Sequence, residues 1–268
     1  MNARDAAQAF RALHEGPAPL VLPNAWDVGS ALGFVVAGFP AVGTTSFGVA
    51  AIEGSPDGGR STREATATLA ARLLRLPVPV TADVEDGYSD DPDEVASYLA
   101  DLGVAGINIE DSTDERLVEP GRHAAKVAAI KATSPDLFVN ARVDTYWLGQ
   151  SANLEETMIR AQAYVEAGAD GIFVPGISQP DEIRTLTATL SVPVNVLPVP
   201  GMTVRELADL GVRRVSTGSL PYRAAIDAGV DAAIRLRDGD TPPKATPYPQ
   251  AQGRLVDYRD GKLSATGE

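Results

Sequence analysis

The chain has 268 residues, is 44% hydrophobic, carries a net charge of −13 and contains no cysteine. That charge argues against nucleic acid or an anionic membrane surface as a partner, and the missing thiols remove disulfides, thiolate metal sites and cysteine nucleophiles. No apolar run approaches the roughly 20 residues that cross a bilayer, and the N-terminus lacks an apolar signal core, so a soluble cytoplasmic protein is expected.

M-N-A-R-D-A-A-Q-A-F-R-A-L-H opens the chain with an amphipathic helix pattern. Strand-like runs then recur at 20–22, 41–45, 78–82, 106–109, 137–141, 171–174, 194–197 and 214–217. Helical periodicity fills the gaps, for example at 63–74, 92–102, 154–167, 179–190 and 203–210. Several helices exit through A-G-F-P, L-G-V-A, A-G-A-D-G or L-G-V-R, where glycine suits a left-handed cap. Eight strands alternating with helices predict a single (β/α)₈ barrel of the α/β class over residues 1–237. An open doubly wound sheet is the alternative, but no G-x-G-x-x-G follows the first strand. Residues 238–268, with T-P-P-K-A-T-P-Y-P-Q-A-Q, read as a mobile end or an arm lying on a neighbour.

In such a barrel the active site gathers where strands end. The residues there form a polar set: Asn24 to Asp27, Thr44 to Gly48, then Asp83, Glu85 and Asp86. Glu110 and Asp111 follow the fourth strand, Asn140, Arg142 and Asp144 mark the fifth, Asn195 the seventh, and Thr217 to Ser219 the eighth. Asp83 and Glu85 are two apart in an extended segment and share a face. With Glu110 from the adjacent strand they suit a hard divalent cation, Mg²⁺ or Mn²⁺, directly or through retained waters. The alternative for these acids, and as strong a reading for Asp86 and Asp111, is helix capping or pairing with arginines. Arg142 closes an apolar run and must be paired, so it either neutralises the acids or clamps a substrate carboxylate bidentately. Ser46 with the amides of Phe47 and Gly48 offers an anion cradle, or else a helix N-cap. His14 and His123 read as surface or helix-end residues without a role.

T-T-S-F-G, S-P-D-G, A-D-V-E-D-G-Y, N-I-E-D and N-A-R-V-D, in this order and spacing, resemble the isocitrate lyase and phosphoenolpyruvate mutase superfamily. The resemblance covers most of the chain, from P-N-A-W-D to V-S-T-G-S. It implies a (β/α)₈ barrel whose last helix is exchanged between subunits, a homotetramer or dimer, Mg²⁺, and a small α-keto acid or its enolate as substrate or product. Carried over residue by residue, Ser46, Phe47 and Gly48 look like the carboxylate ligands, and Asp83, Glu85 and Glu110 like the Mg²⁺ shell. Asp57 resembles the aspartate on the mobile segment beside the metal, and Arg142 the arginine facing the substrate.

The departures are as informative. K-K-C-G-H, the thiol motif of isocitrate-type lyases, does not occur, and between Asp111 and Gly121 stands only S-T-D-E-R-L-V-E-P, with Arg116 as its sole cation. Phosphoryl transfer without a cationic clamp is poorly stabilised. The expectation is therefore a Mg²⁺-dependent carbon–carbon lyase or decarboxylase of a small, oxaloacetate-like α-keto acid, acting through a metal-stabilised enolate. Phosphonopyruvate hydrolase or phosphoenolpyruvate mutase chemistry, or a noncatalytic keto-acid-binding relative, are the alternatives. Asn195 is taken with Ser46 as substrate-binding. Tyr88, just after the acid cluster, is a candidate proton donor, although a structural role is the stronger reading.

Overall fold

The computed structural model describes residues 2–263. Nine strand segments form one parallel sheet that curls into a barrel. The first stave is split at Pro23. Leu20–Leu22 pairs with the last strand, Arg214–Ser216, while Asn24–Ala25 pairs with Val42–Thr44. Proline cannot donate to a ladder, so Pro23 marks the point where the stave passes from one neighbour to the other and brings the sheet round on itself. The remaining staves are Val80–Asp83, Gly106–Glu110, Phe138–Arg142, Gly171–Phe173 and Val194–Val196, each paired in parallel with the next. All eight predicted strands are present, and the fold is the expected (β/α)₈ barrel.

Alternation along the staves divides the side chains between two cores. Val80, Ala82, Ile107, Ile109, Val139, Ala141, Ile172, Val194, Val196 and Val215 join the large cluster formed with the surrounding helices. Inside, the N-terminal end of the barrel holds a small separate cluster in which Phe10 packs with Leu20, Leu22, Ala41, Ala105 and Phe138. Phe10 arrives on the helix Ala3–Ala12, whose N-cap Asn2 accepts the amide of Asp5. The rings of Phe10 and Phe138 meet edge-on, 5.3 Å between centroids. Gly106 leaves room for Phe10: a Cβ there would stand 3.0 Å from the Phe10 ring.

The helices leave through the expected glycines, Gly38, Gly103, Gly168 and Gly211 all lying at positive φ. Pro92–Leu102 begins with Asp91 as N-cap and proline in its first turn, and ends at Gly103 with φ 65°. Helix Leu220–Arg237 buries no residue. Ile226, Val230 and Ile234, spaced four apart, form an uncovered apolar stripe along it. Beyond it the chain forms a helix, Tyr248–Asp260, that lies on its own barrel. Tyr258 donates to the Arg72 carbonyl at 2.9 Å, and the Arg75 guanidinium sits over the Tyr258 ring, 4.6 Å from its centroid. Of the tail expected as a mobile end or a neighbour's arm, Tyr248–Asp260 is a helix with these contacts to its own chain, and residues 264–268 lie outside the described part.

The two histidines stand at helix ends, as expected, but both are buried rather than at the surface. His14 stacks on Phe138 with 4.5 Å between ring centroids, and His123, fully buried, packs against Tyr164. Burial lowers both to about 3, so both are neutral in the folded protein. The sequence signals of a surface position misled because the N-terminal helix plugs the barrel and the helix Pro120–Thr133 turns His123 inward.

Candidate functional site

Two adjoining cavities open at the C-terminal mouth of the barrel and share Asp57, Arg142 and Trp147. One, of about 450 Å³, is lined by Glu85, Asp86, Glu110, the segment from Asp57 to Arg60 and the turn from Ser112 to Glu115. The other, of about 410 Å³, is lined by Ser46, Phe47, Asp83, Asn108 and Ser216, with an apolar wall that includes Phe173, Leu197, Val199 and Leu220.

Asp83 stands at the end of its strand with Oδ2 accepting the Ser46 amide at 3.0 Å, while its own N–H donates to Thr44 Oγ1 at 2.8 Å. Its Oδ1 is buried without a partner among the described residues. Burial raises this carboxyl to about 6, against the opposing pull of Arg142 and the Ser46 amide. Glu110 is pushed well above its usual range by the same burial, again opposed by Arg142. A carboxylate oxygen left unpaired in such a place is costly unless a cation meets it.

Arg142 is pinned at two edges. Nη1 donates to Glu110 and Nε to Asp144, each at 2.5 Å, and the guanidinium carbon lies 5.5 Å from the Trp147 ring centroid and 5.8 Å from that of Phe173. Nη2 makes no hydrogen bond among the described residues and is the donor left for a ligand. Of the two roles expected of Arg142, neutralising the acids occupies Nη1 and Nε.

Glu85 is turned aside. Its backbone has φ 48°, and its carboxylate accepts Thr62 Oγ1 at 2.5 Å and the Arg60 amide at 2.8 Å. Among the described residues no three His, Asp or Glu side chains stand close enough to hold an ion together. The donor set nevertheless fits a hard cation: Asp83 with its orphaned oxygen, Glu110, and Asp57 on the shared cavity wall are all oxygen ligands. Glu85 would join them only by exchanging Thr62 and Arg60 for the ion or its water.

Asp86 and Asp111 take the arginine-pairing role. Asp86 accepts Arg60 Nε at 3.0 Å and Thr113 Oγ1 at 2.7 Å, and lies 3.5 Å from Lys126 Nζ. Burial raises it, but these partners more than reverse that and hold it low. Asp111, fully buried, accepts the Tyr164 hydroxyl at 2.7 Å and Arg160 Nη1 at 3.1 Å.

Tyr88 lines neither cavity. Its hydroxyl is committed to Thr62 and Thr66, at 3.0 and 3.1 Å. Asn195 lies one layer deeper than expected, behind Ser216, to whose Oγ it donates at 3.0 Å. Phe47 faces the second cavity, whereas Gly48 packs beneath it, where a Cβ would stand 2.7 Å from that of Trp26. Residues missed by inspecting strand ends alone are Asn108, Arg214 and Ser216. The period-two alternation inside G-I-N-I-E and R-V-S was the signal available for them.

The sequence profile of the phosphoenolpyruvate phosphomutase family matches residues 10–237. An uncharacterised protein of Mycobacterium tuberculosis is 54% identical over 94% of this chain and 98% of its own. A 2-methylisocitrate lyase of Halalkalibacterium halodurans is 30% identical over 71% of this chain and 67% of its own. An oxaloacetate decarboxylase of Pseudomonas entomophila is 34% identical over 65% of this chain and 63% of its own. The crystal structure of 2,3-dimethylmalate lyase, a member of the superfamily of phosphoenolpyruvate mutase and isocitrate lyase, superposes with TM-score 0.82 at 26% identity, covering 97% of this chain and 96% of that one.

Proposed function

Because the chain belongs to the phosphoenolpyruvate mutase/isocitrate lyase superfamily, a family of lyases and mutases, we propose that it is a Mg²⁺- or Mn²⁺-dependent lyase breaking a carbon–carbon bond of a small α-keto acid. Decarboxylation of an oxaloacetate-like acid is the simplest case. The observation that carries this reading is the orphaned Oδ1 of Asp83 beside a cavity that Arg142, with Nη2 unpaired among the described residues, also lines. A cation and an anionic ligand are what those two atoms respectively lack.

Asp83 and Glu110, with Asp57, would hold the ion, and Glu85 would enter through water. When bound, the ion supplies the electron sink for the bond that breaks. Arg142 Nη2 and the Ser46 hydroxyl hold the carboxylate, and Glu110 and Asp144 fix the plane of the guanidinium before the ligand arrives. Trp147 and Phe173 stand near that group and shield it from water. Tyr88 takes no part, so the proton that completes the product comes from solvent at the mouth. This reading takes the protein as a cytoplasmic homo-oligomer, dimer or tetramer, whose neighbouring copy covers the stripe of Ile226, Val230 and Ile234; no helix among the described residues is long and apolar enough to cross a membrane.

The test is turnover of a keto-acid panel, oxaloacetate included, with Mg²⁺ or Mn²⁺ and with EDTA. Metal-dependent release of pyruvate or CO₂ is expected. Turnover of phosphonopyruvate, with none of any carbon acid, would replace this reading with P–C chemistry.

A further inference from the structure

The interior of the barrel is polar in its middle layer, where an ordinary barrel would be filled with branched apolar side chains. Arg214, the first residue of the eighth strand, is 1% exposed and points into that layer. It forms no ion pair among the described residues. Its Nε donates to Ser216 Oγ at 2.9 Å, its Nη2 donates to Asn108 Oδ1 at 3.1 Å, and its guanidinium rests over the ring of Phe10. An arginine buried without a carboxylate is an expensive way to fill space. Its hydrogen bond to Asn108 crosses the barrel between the eighth strand and the fourth.

Asn108 is the middle residue of Gly106–Glu110, in register with Asp83 on one side and Asn140 on the other. Its Oδ1 takes a second donor, Asn140 Nδ2, at 2.9 Å. Room for Asn140 comes from Gly171, where a Cβ would stand 2.9 Å from the Asn140 oxygen. Guanidinium has no acceptor, so the atom of Asn108 facing Arg214 must be the oxygen, and the carboxamide has one orientation. The amino group consequently points the other way. Asn108 lines the second cavity beside Asp83 and Arg142, and its Nδ2 makes no hydrogen bond among the described residues.

We propose that Asn108 is a ligand-binding residue, donating from Nδ2 to an oxygen of the bound keto acid, and that Arg214 is a positioning residue that locks this donor toward the cavity. The proposal rests on the keto-acid reading above and adds to it a donor on the floor of the site. Arg214 does more than orient the amide. By placing a positive charge on its oxygen it polarises the group and makes Nδ2 a stronger donor.

The test is calorimetric binding of oxalate to the full-length protein in the presence of Mg²⁺. Asn108→Ala should weaken oxalate at least tenfold. Asn108→Asp gives Arg214 the ion pair it lacks, so its thermal midpoint should hold or rise while oxalate binding falls at least as far. A purely structural Asn108 would gain stability with no such loss in the alanine variant. Arg214→Met should weaken oxalate like Asn108→Ala, and the double variant should be no worse than Asn108→Ala alone, because the arginine acts through the amide. Should the methionine variant not fold, Arg214→Gln serves in the same cycle, because its carboxamide carries no charge and can accept as well as donate.

Wild-type affinity in Asn108→Ala overturns this proposal and leaves the keto-acid reading standing. Losses that multiply in the double variant overturn the coupling to Arg214. No oxalate binding by the wild type overturns the keto-acid reading first, and this proposal with it.

Discussion

Arg60 reaches across 26 positions of chain to fork onto Asp86, with Nε 3.0 Å from both carboxylate oxygens, while its backbone amide holds the adjacent Glu85. One residue thus ties the segment carrying Asp57 to the acid-bearing end of the third strand. It does so from a left-handed backbone, φ 60°, just after Gly58 and Gly59, both also at positive φ. Arg60 Nη2 also meets Asp90 at 2.6 Å, and Asp86 takes Thr113 from the facing turn.

Removing that fork should therefore loosen the segment over the first cavity without unfolding the barrel. Arg60→Ala is expected to expose residues 54–62 to limited proteolysis and to raise their amide exchange at least tenfold. Unchanged protection would mean that the turn holds itself.

Asp83 carries the unpaired oxygen, so Asp83→Ala should abolish Mn²⁺ binding measured by calorimetry. Glu85→Gln should weaken it far less, because Glu85 is already engaged by Thr62 and Arg60. Equal losses from both would show that Glu85 turns back to the ion when it is present.

At Arg142 a lysine keeps the charge and cannot hold Glu110 and Asp144 while also offering a third donor in the same plane. Arg142→Lys should lower turnover at least tenfold with the circular dichroism spectrum intact. Loss of the fold instead would make the residue a structural ion-pair centre.

His123 predicts a pH dependence unrelated to the site. Its pKa is depressed by burial from 6.5 to about 3. The unfolded chain therefore binds a proton the folded one refuses, so the stabilisation is present above pH 6.5 and is lost as pH falls toward 3. At pH 5 this single group should cost about 2 kcal/mol relative to pH 7.5, at roughly 1.4 kcal/mol per pH unit below the unfolded pKa. His123→Phe should flatten the difference between urea unfolding at the two pH values by that amount. An unchanged slope would assign the acid sensitivity to other groups, His14 first.

The strand order, the helix exits and the charged strand tips were legible because they are written in local patterns. Apolar runs, helical periodicity and glycine exits each involve residues within four or five positions of one another, and the barrel followed from counting them. Asp83, Glu110, Ser46 and Arg142 line the cavities for the same reason: a residue at a strand end has only one place to go in a closed barrel.

What the tertiary structure alone decided are the outcomes of competition. Glu85 carries the same charge as Asp83 two residues earlier, but Thr62 and Arg60, 23 and 25 positions away, take its carboxylate. Asn108 and Arg214, 106 positions apart, meet only because closure sets the fourth stave against the eighth. His14 and His123 are buried by helices whose seating no local pattern specifies, and the tail helix Tyr248–Asp260 meets Arg72 and Arg75 of its own barrel through Tyr258. Local spacing determines which side chains a strand presents; which partner each one finds depends on distances between segments that exist only once the barrel has closed.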